Sequence, residues 1–439
     1  MVTAVIMAGG RGQRLASRSQ GLPKVLVPIL GKPLLEYQME LLAGAGIKDV
    51  AVLTGFQAEA VARFCAGGGR WGMRVRCMPD REARGPAAAL LAALPSLGPR
   101  LLVLNGDTMM NLDLRRFQAA HQISGAAASL LLHPNDHPFD SDLVELDRHG
   151  RILAFHPKPH KSAPPCNLVN AGVYLIETAA LRRPFSSVPR EFIPDLFAEL
   201  MGAGVALYGY RSPEYVKDAG TPERLDQVAA DLATGSIARA SLTQSAPAIF
   251  LDRDGTLVEN VPFLTSPDDL RLLHGVPQAL KLLRAAGYRL VVVTNQSVIA
   301  RGGCTEDNLI RIHNAMEIML AASGAFLDAI YYCPHHPDFG FAGEVAELKR
   351  ICDCRKPEIG LVRRAVADLN LDLAGSWFIG DSQVDMLCAA RAGIRAIGVG
   401  SDKSRVERYS AQPDCYLPDL LSAANFIVAR AGIACALSS

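Results

Sequence analysis

The chain has almost no net charge. Its 45 Lys and Arg residues against 44 Asp and Glu leave a formal +1, whereas a general nucleic-acid surface or a polybasic membrane face needs an excess of one sign. Long hydrophobic runs are also missing. The nearest candidate, Leu417–Leu437, is interrupted by Asp419, Asn425 and Arg430 and is predicted to be a packed terminal helix rather than a membrane span. No signal-peptide pattern opens the chain, so its ten cysteines are expected to be reduced in a cytoplasmic protein. Neither nucleic acid nor membrane is an expected partner. No internal repeat is present, so the two halves are different domains.

At 439 residues and 49% hydrophobic, the sequence is globular and too long for one core; two or three domains are expected. Asp231–Pro247 has few large apolar residues and is rich in Ala, Ser, Thr and Gly, reading as a partly helical exit followed by a linker. The expected domains are 1–232 and 247–439, joined by a linker at 233–246. Both flanks alternate strand and helix patterns. Val276–Ala286 has an apolar face, a Pro in its first turn and Gly287 where it stops, and the strand Arg289–Thr294 follows at once. This is a βαβ rhythm, and the fold class is α/β.

Residues Phe250–Thr256 carry the most chemistry. The apolar run 248–251 ends in Asp252 and Asp254, then Gly255. Paired carboxylates in a glycine-permitted turn at a strand end suit covalent phosphoryl transfer: one attacks phosphorus and the other handles the leaving-group proton. They also suit Mg²⁺, which takes a few carboxylates plus phosphate oxygens. Alone, such a turn is more often a solvated loop. Its partners follow in order: Leu290–Val293 ends in Thr294-Asn295-Gln296, Arg355-Lys356 supplies two cations, and Trp377-Phe378-Ile379 ends in Gly380-Asp381-Ser382, with Asp385 close behind. Apolar strands ending in polar residues fit an open parallel sheet that binds ligands at its carboxyl edge.

In these four motifs, Asp252 to about Val399 resembles the haloacid-dehalogenase-like phosphatases, with a doubly wound fold. The resemblance implies that Asp252 is the nucleophile forming an aspartyl phosphate, and that Asp254 protonates the leaving oxygen and then activates water. Thr294 and Lys356 would hold phosphoryl oxygens, with Asn295 and Arg355 as further substrate contacts. Mg²⁺ would sit on Asp381, the Asp252 carboxylate and the Asp254 backbone carbonyl, with Asp385 a candidate for the same shell. Thr294 and Asp385 also have a plain reading as caps of the elements that follow.

A second constellation lies beside the third motif. Cys333-x-His335 and Cys352-x-Cys354 offer three thiolates and one imidazole, a closed tetrahedral set for structural Zn²⁺. The rival readings are buried thiols and a disulfide. His336 is the spare imidazole. With this set included, the segment is similar to the phosphatases acting on heptose 1,7-bisphosphate at C7, and to histidinol-phosphate phosphatase. It departs from the heptose type at Val298, at Asn260–Leu264, and in the long stretch Phe339–Arg350.

At the other end, a strand at 3–8 enters Gly9-Gly10-Arg11-Gly12-Gln13-Arg14. A glycine-rich turn lets backbone amides approach a phosphate, but this is neither a Walker motif nor a G-x-G-x-x-G. With Leu22-Pro23-Lys24 and Gly31–Tyr37 after it, Met1 to about Ala230 resembles the sugar-1-phosphate nucleotidyltransferases, a Rossmann-like domain. The resemblance implies that Gly9, Gly10, Gly12 and Arg14 steady a triphosphate and that Lys24 neutralises charge near the attacked phosphorus. Glu82 and Gly85 would contact the base, Asp107 and Asp218 would bind Mg²⁺, and Asn170 and Lys158 would contact sugar phosphate. Such chemistry needs little beyond positioning and charge neutralisation.

Together the halves imply consecutive reactions: removal of the 7-phosphate from heptose 1,7-bisphosphate, then nucleotidyl transfer from an NTP, GTP by resemblance, to heptose 1-phosphate. The α-linked product is expected on the same ground. Alternatives are the same chemistries on another sugar bisphosphate, or a histidinol-phosphate-type phosphatase beside a non-catalytic binding module. A homo-oligomer is compatible with the sequence.

Overall fold

Two βαβ-rich runs of sequence build two separate sheets. The computed structural model describes residues 2–80, 82, 85–160, 163–400, 410–430 and 432. The chain divides into one unit of Met1–His133, Asp140–Lys161 and Leu168–Ser241, and another of Pro134–Phe139, Ser162–Asn167 and Leu242–Ser439.

In the first unit, the strand Val2–Ala8 is fully apolar in its middle because it is covered on both faces. It lies parallel to Asp49–Thr54 on one side and Arg100–Asn105 on the other, within a nine-stranded sheet. Val169–Glu177 adds antiparallel to Arg100–Asn105. A separate ribbon pairs Thr108–Asn111 with Tyr215–Asp218, and its register sets Asp218 opposite Thr108. That register brings together two carboxylates 111 positions apart in number, Asp107 and Asp218, since the Ala219 N–H also donates to the Asp107 carbonyl.

The second unit holds six parallel strands in the order Ala329–Cys333, Arg289–Asn295, Ala246–Leu251, Leu371–Gly380, Arg395–Val399 and Cys415–Leu417. From Ala246–Leu251 the chain adds two strands on one side and then crosses to add three on the other, which makes its carboxyl end the switch point where such sheets bind ligands. Leu251 is in register with both Val292 and Ile379, and Asn295 with Cys333. Asp252, Thr294, Asp381 and Cys333 therefore reach one edge. Phe250 and Phe378 stack beneath it with ring centroids 6.1 Å apart, both wholly buried.

The stretch 233–246, expected as a linker, is ordered. It contains the helix Ser236–Arg239, whose Ile237 is buried against Leu15 and Val228, and Leu242 is buried in the core of the second unit. Composition alone does not reveal these two burials in a small-residue segment. The terminal helix runs Leu420–Arg430; of its expected continuation, 431 and 433–437 lie outside the described residues. No helix among the described residues is long and apolar enough to cross a membrane.

Candidate active sites

At the carboxyl edge of the six-stranded sheet, Lys356 is the hub. Its Nζ lies 2.7 Å from Asp252 Oδ1 and 2.6 Å from Asp385 Oδ1. Burial works against its charge, but the two carboxylates outweigh burial and hold its pKa above the ordinary 10.5. Asp385 is fully buried; burial raises its pKa and Asp252 adds to that, with Lys356 pulling the other way. Its second oxygen accepts from Ser382 N–H at 3.1 Å and Oγ at 2.5 Å, closing a capping box at the start of Gln383–Ala392. Asp385 thus caps the helix that follows and pairs with Lys356 through its other oxygen.

Asp252, Asp381 and Asp385 bring carboxylate oxygens within 4.8 Å of one another, a donor set that suits a hard divalent cation. Gly255 is required here twice over. Its φ is +79°, and a Cβ would lie 2.2 Å from Asp381 Oδ2. Thr294 is buried and its Oγ1 accepts from Gln296 Nε2 at 2.9 Å. The Asn295 amide is committed at both ends to the Lys356 backbone, at 3.0 and 2.9 Å. It thereby anchors the backbone of the lysine. The Asp254 carboxylate turns to Arg253 and Gln296, two partners absent from the sequence reading. Arg253 gave one signal: a charged residue alternating into a buried position between two aspartates.

Cys333, His335, Cys352 and Cys354 gather their ligand atoms within 4.8 Å. Cys354 Sγ lies 3.3 Å from both Cys333 and Cys352 and 3.2 Å from His335 Nδ1. These sulfur separations are far longer than the ~2.05 Å of a disulfide, and they suit a tetrahedral ion. Contact with Cys333 pushes the Cys354 thiol down to about 5, and the same contact pushes Cys333 up. His336 stands outside the group, bonded to Arg301 Nη2 at 3.1 Å. Arg355 donates to the His335 carbonyl at 3.3 Å, tying the Cys333–His335 turn to the Lys356 segment.

In the nine-stranded unit, Lys24 Nζ sits 2.5 Å from Asp107 Oδ2 and 3.5 Å from Asp218 Oδ1. Gly9, Gly10, Lys24, Gly85, Asn105 and Asp107 line a cavity of about 380 Å³. Beside it, Asn170 bonds to the Tyr174 hydroxyl at 2.9 Å, and Gly172 (φ +70°) lets that turn approach Asn105, where a Cβ would meet the amide at 2.3 Å. Three further residues expected as contacts do not line this cavity. Glu82 lines an adjoining cavity of about 750 Å³. Arg14 is exposed on the short 3₁₀ turn Gln13–Leu15. Lys158 is exposed, with its backbone N–H on Asp142 at 3.0 Å. Arg224 was not anticipated; its Nη1 lies 2.6 Å from Asp218 Oδ2.

A nucleotidyl transferase family model matches residues 3–235, more than half of the chain. The chain belongs to the nucleotidyl transferase family. Behind that nucleotidyltransferase half, a HAD-hydrolase-like family model matches residues 353–423. A Yersinia pestis D-glycero-beta-D-manno-heptose-1,7-bisphosphate 7-phosphatase is 45% identical over 153 residues, covering 35% of this chain and 79% of the relative. The chain thus also belongs to the family of that phosphatase. Among solved structures, HddC from Yersinia pseudotuberculosis with GMP-PN is similar at 21% identity (TM-score 0.46; 53% of this chain, 100% of the other). D,D-heptose 1,7-bisphosphate phosphatase from B. bronchiseptica, with magnesium and phosphate, is similar at 34% identity (TM-score 0.37; 42% of this chain, 99% of the other). The chain therefore joins a nucleotidyltransferase to a HAD-like phosphatase.

Proposed function

We propose that the phosphatase half removes the 7-phosphate of D-glycero-D-manno-heptose 1,7-bisphosphate and the transferase half converts the heptose 1-phosphate to GDP-heptose. The observation that carries this is the 45% identity to a heptose bisphosphate phosphatase across 79% of its length, in a chain whose other half is a nucleotidyltransferase. The phosphatase product is then the substrate type its neighbour consumes. A histidinol-phosphate phosphatase would make nothing that neighbour could use.

Asp252 attacks the 7-phosphorus, the bond to the sugar oxygen breaks, and Asp254 gives that oxygen its proton. Asp254 then takes a proton from water as the water displaces the aspartyl ester, releasing inorganic phosphate and restoring Asp252. Lys356 and Thr294 hold the phosphoryl oxygens. Asp252 and Asp381 would hold Mg²⁺, which supplies charge neutralisation for the phosphoryl group. Cys333, His335, Cys352 and Cys354 would hold a structural Zn²⁺. In the other half the sugar phosphate oxygen attacks the α-phosphorus of GTP and pyrophosphate leaves. Lys24 offsets the developing charge there, while Asp107 and Asp218 would hold Mg²⁺. Both reactions draw on cytoplasmic nucleotide and sugar-phosphate pools, where we place the protein.

GTP and the α-linked product rest on the likeness of Gly31–Tyr37 to guanylyltransferases; the Yersinia pestis relative is named for the β anomer. The test is mass spectrometry of one mixture of protein, Mg²⁺, all four NTPs and each heptose 1,7-bisphosphate anomer separately. A GDP-heptose peak from the α anomer supports the whole reading. Another nucleotide sugar corrects the base. Heptose 1-phosphate alone reduces the first half to a transferase for a different sugar or a binding module.

A further inference from the structure

Asp254 is held in a way that does not suit an acid about to give up a proton. Arg253 Nε and Nη2 reach both of its carboxylate oxygens at 2.9–3.2 Å, and Gln296 Nε2 reaches Oδ2 at 2.8 Å. Every one of these partners is a donor, so the carboxylate they hold acts only as an acceptor.

Arg253 is itself 1% exposed, and a buried guanidinium is costly unless its hydrogens are matched. Besides Asp254 it has two further partners: Nη2 donates to Gln296 Oε1 at 2.9 Å, and Nη1 lies 3.2 Å from His313 Nε2. A guanidinium cannot accept, so His313 Nε2 accepts. His313 is buried on the helix Glu306–Ala321, with its ring 5.9 Å from that of Tyr332. If Asp254 turns toward a leaving oxygen, Gln296 and His313 keep the guanidinium paired and in place. Thr294 is joined to the same group through Gln296.

We propose that Arg253, braced by His313 and Gln296, is a positioning residue that holds Asp254 aside in the resting site and sets the path by which it reaches the leaving oxygen. This rests on the reading of Asp254 as the acid–base residue. The planar fork of Arg suits the task, because its paired N–H groups fix the plane of a carboxylate as a lysine ammonium cannot.

The test uses the full chain with Mg²⁺ and two monoesters: a sugar bisphosphate, whose alkoxide leaves only with a proton, and p-nitrophenyl phosphate, whose phenolate leaves without one. Loss of general acid help is expected to cost the first substrate on the order of 100-fold and the second little. Arg253→Met should therefore lower kcat/KM for the sugar phosphate at least about tenfold more than for the aryl phosphate. His313→Leu should shift the ratio the same way, and His313→Gln, which keeps an acceptor, should bring it back toward native. Equal losses on both substrates in folded Arg253→Met or His313→Leu would overturn the proposal. Should Arg253→Met fail to fold, the His313 pair decides alone. Asp254→Asn separates the two levels. If it leaves the ratio unchanged, the acid–base reading itself fails. If it shifts the ratio while the Arg253 and His313 variants do not, only the positioning role fails.

Discussion

Lys356 Nζ lies 2.7 Å from Asp252 Oδ1, so the amine proposed to receive the phosphoryl oxygens already neutralises the proposed nucleophile. The same amine neutralises Asp385, whose side chain has no exposed surface. Removing it would strand two carboxylates in a buried site. Lys356→Met should therefore lose stability by about 3–5 kcal/mol and lose phosphate release, as read by urea unfolding and phosphate assay. Because the folded pKa of Lys356 is raised, its stabilisation is complete below the ordinary lysine value of 10.5 and is lost only as pH rises beyond it. The lysine's own contribution should accordingly not change between about pH 6 and 9, so any fall in the variant's relative stability with rising pH over that range would come from the two stranded carboxylates.

Gly255→Ala is a small change with a large expected effect. The φ of +79° disfavours any side chain, and the new methyl would lie 2.2 Å from Asp381 Oδ2. The strained backbone costs about 1–3 kcal/mol, and Asp381 must move out of the carboxylate cluster. Phosphate release should fall sharply and recover in part at high Mg²⁺. Unchanged activity would show that Asp381 has another position compatible with catalysis.

The sulfur cluster predicts about one zinc per chain, the capacity of one closed four-ligand set. Metal analysis of Cys352→Ser, Cys354→Ser should find it nearly absent, and chelation should loosen the 333–356 segment in hydrogen exchange. Arg355 ties that segment to the phosphate clamp, so phosphate release should fall with it. A full zinc complement in the double variant would remove these two ligands from the assignment.

How much of this could be read from the sequence depended on how each residue is held. Asp252, Thr294 and Asp381 end apolar strands, and a parallel sheet in register must bring such ends to one edge. The cysteine spacing was equally direct, since i, i+2 pairs place two ligands side by side. Arg253, Gln296 and His313 form a group whose members are 43 and 60 positions apart, and only tertiary packing joins them. The hold of Asn295 on the Lys356 backbone is likewise invisible in the sequence, because the two residues are 61 positions apart. Within the expected linker, Ile237 and Leu242 are buried, which a stretch of small residues does not announce.

Asp107→Asn tests the independence of the two chemistries. It removes one proposed metal carboxylate and the partner of Lys24 at 2.5 Å. Nucleotidyl transfer to authentic heptose 1-phosphate should fall at least about 100-fold, as when a positioned charge is lost from a transition state. Phosphate release from the bisphosphate should be unchanged. Loss of both activities in a folded variant would make the two halves interdependent.

Arg224 gives the last prediction. Asp218 Oδ2 is 2.6 Å from Arg224 Nη1, while Oδ1 is buried without a hydrogen-bond partner among the described residues and faces Lys24 at 3.5 Å. An acceptor left unsatisfied in that position is costly unless a ligand completes it. The guanidinium thus fixes one oxygen so that the other is presented toward Lys24, which also pairs with Asp107. Arg224 also reaches Asp140 at 3.1 Å, which steadies it from the far side. In Arg224→Gln the carboxylate regains rotational freedom, and the cost of ordering it falls on the metal. The Mg²⁺ concentration for half-maximal nucleotidyl transfer should rise by about three- to tenfold, equivalent to roughly 1 kcal/mol of lost preorganisation. The rate at saturating Mg²⁺ should stay near that of the parent. A lower maximal rate with unaltered Mg²⁺ dependence would instead place Arg224 on the reacting phosphates, as a group that touches substrate rather than one that orients its metal carboxylate.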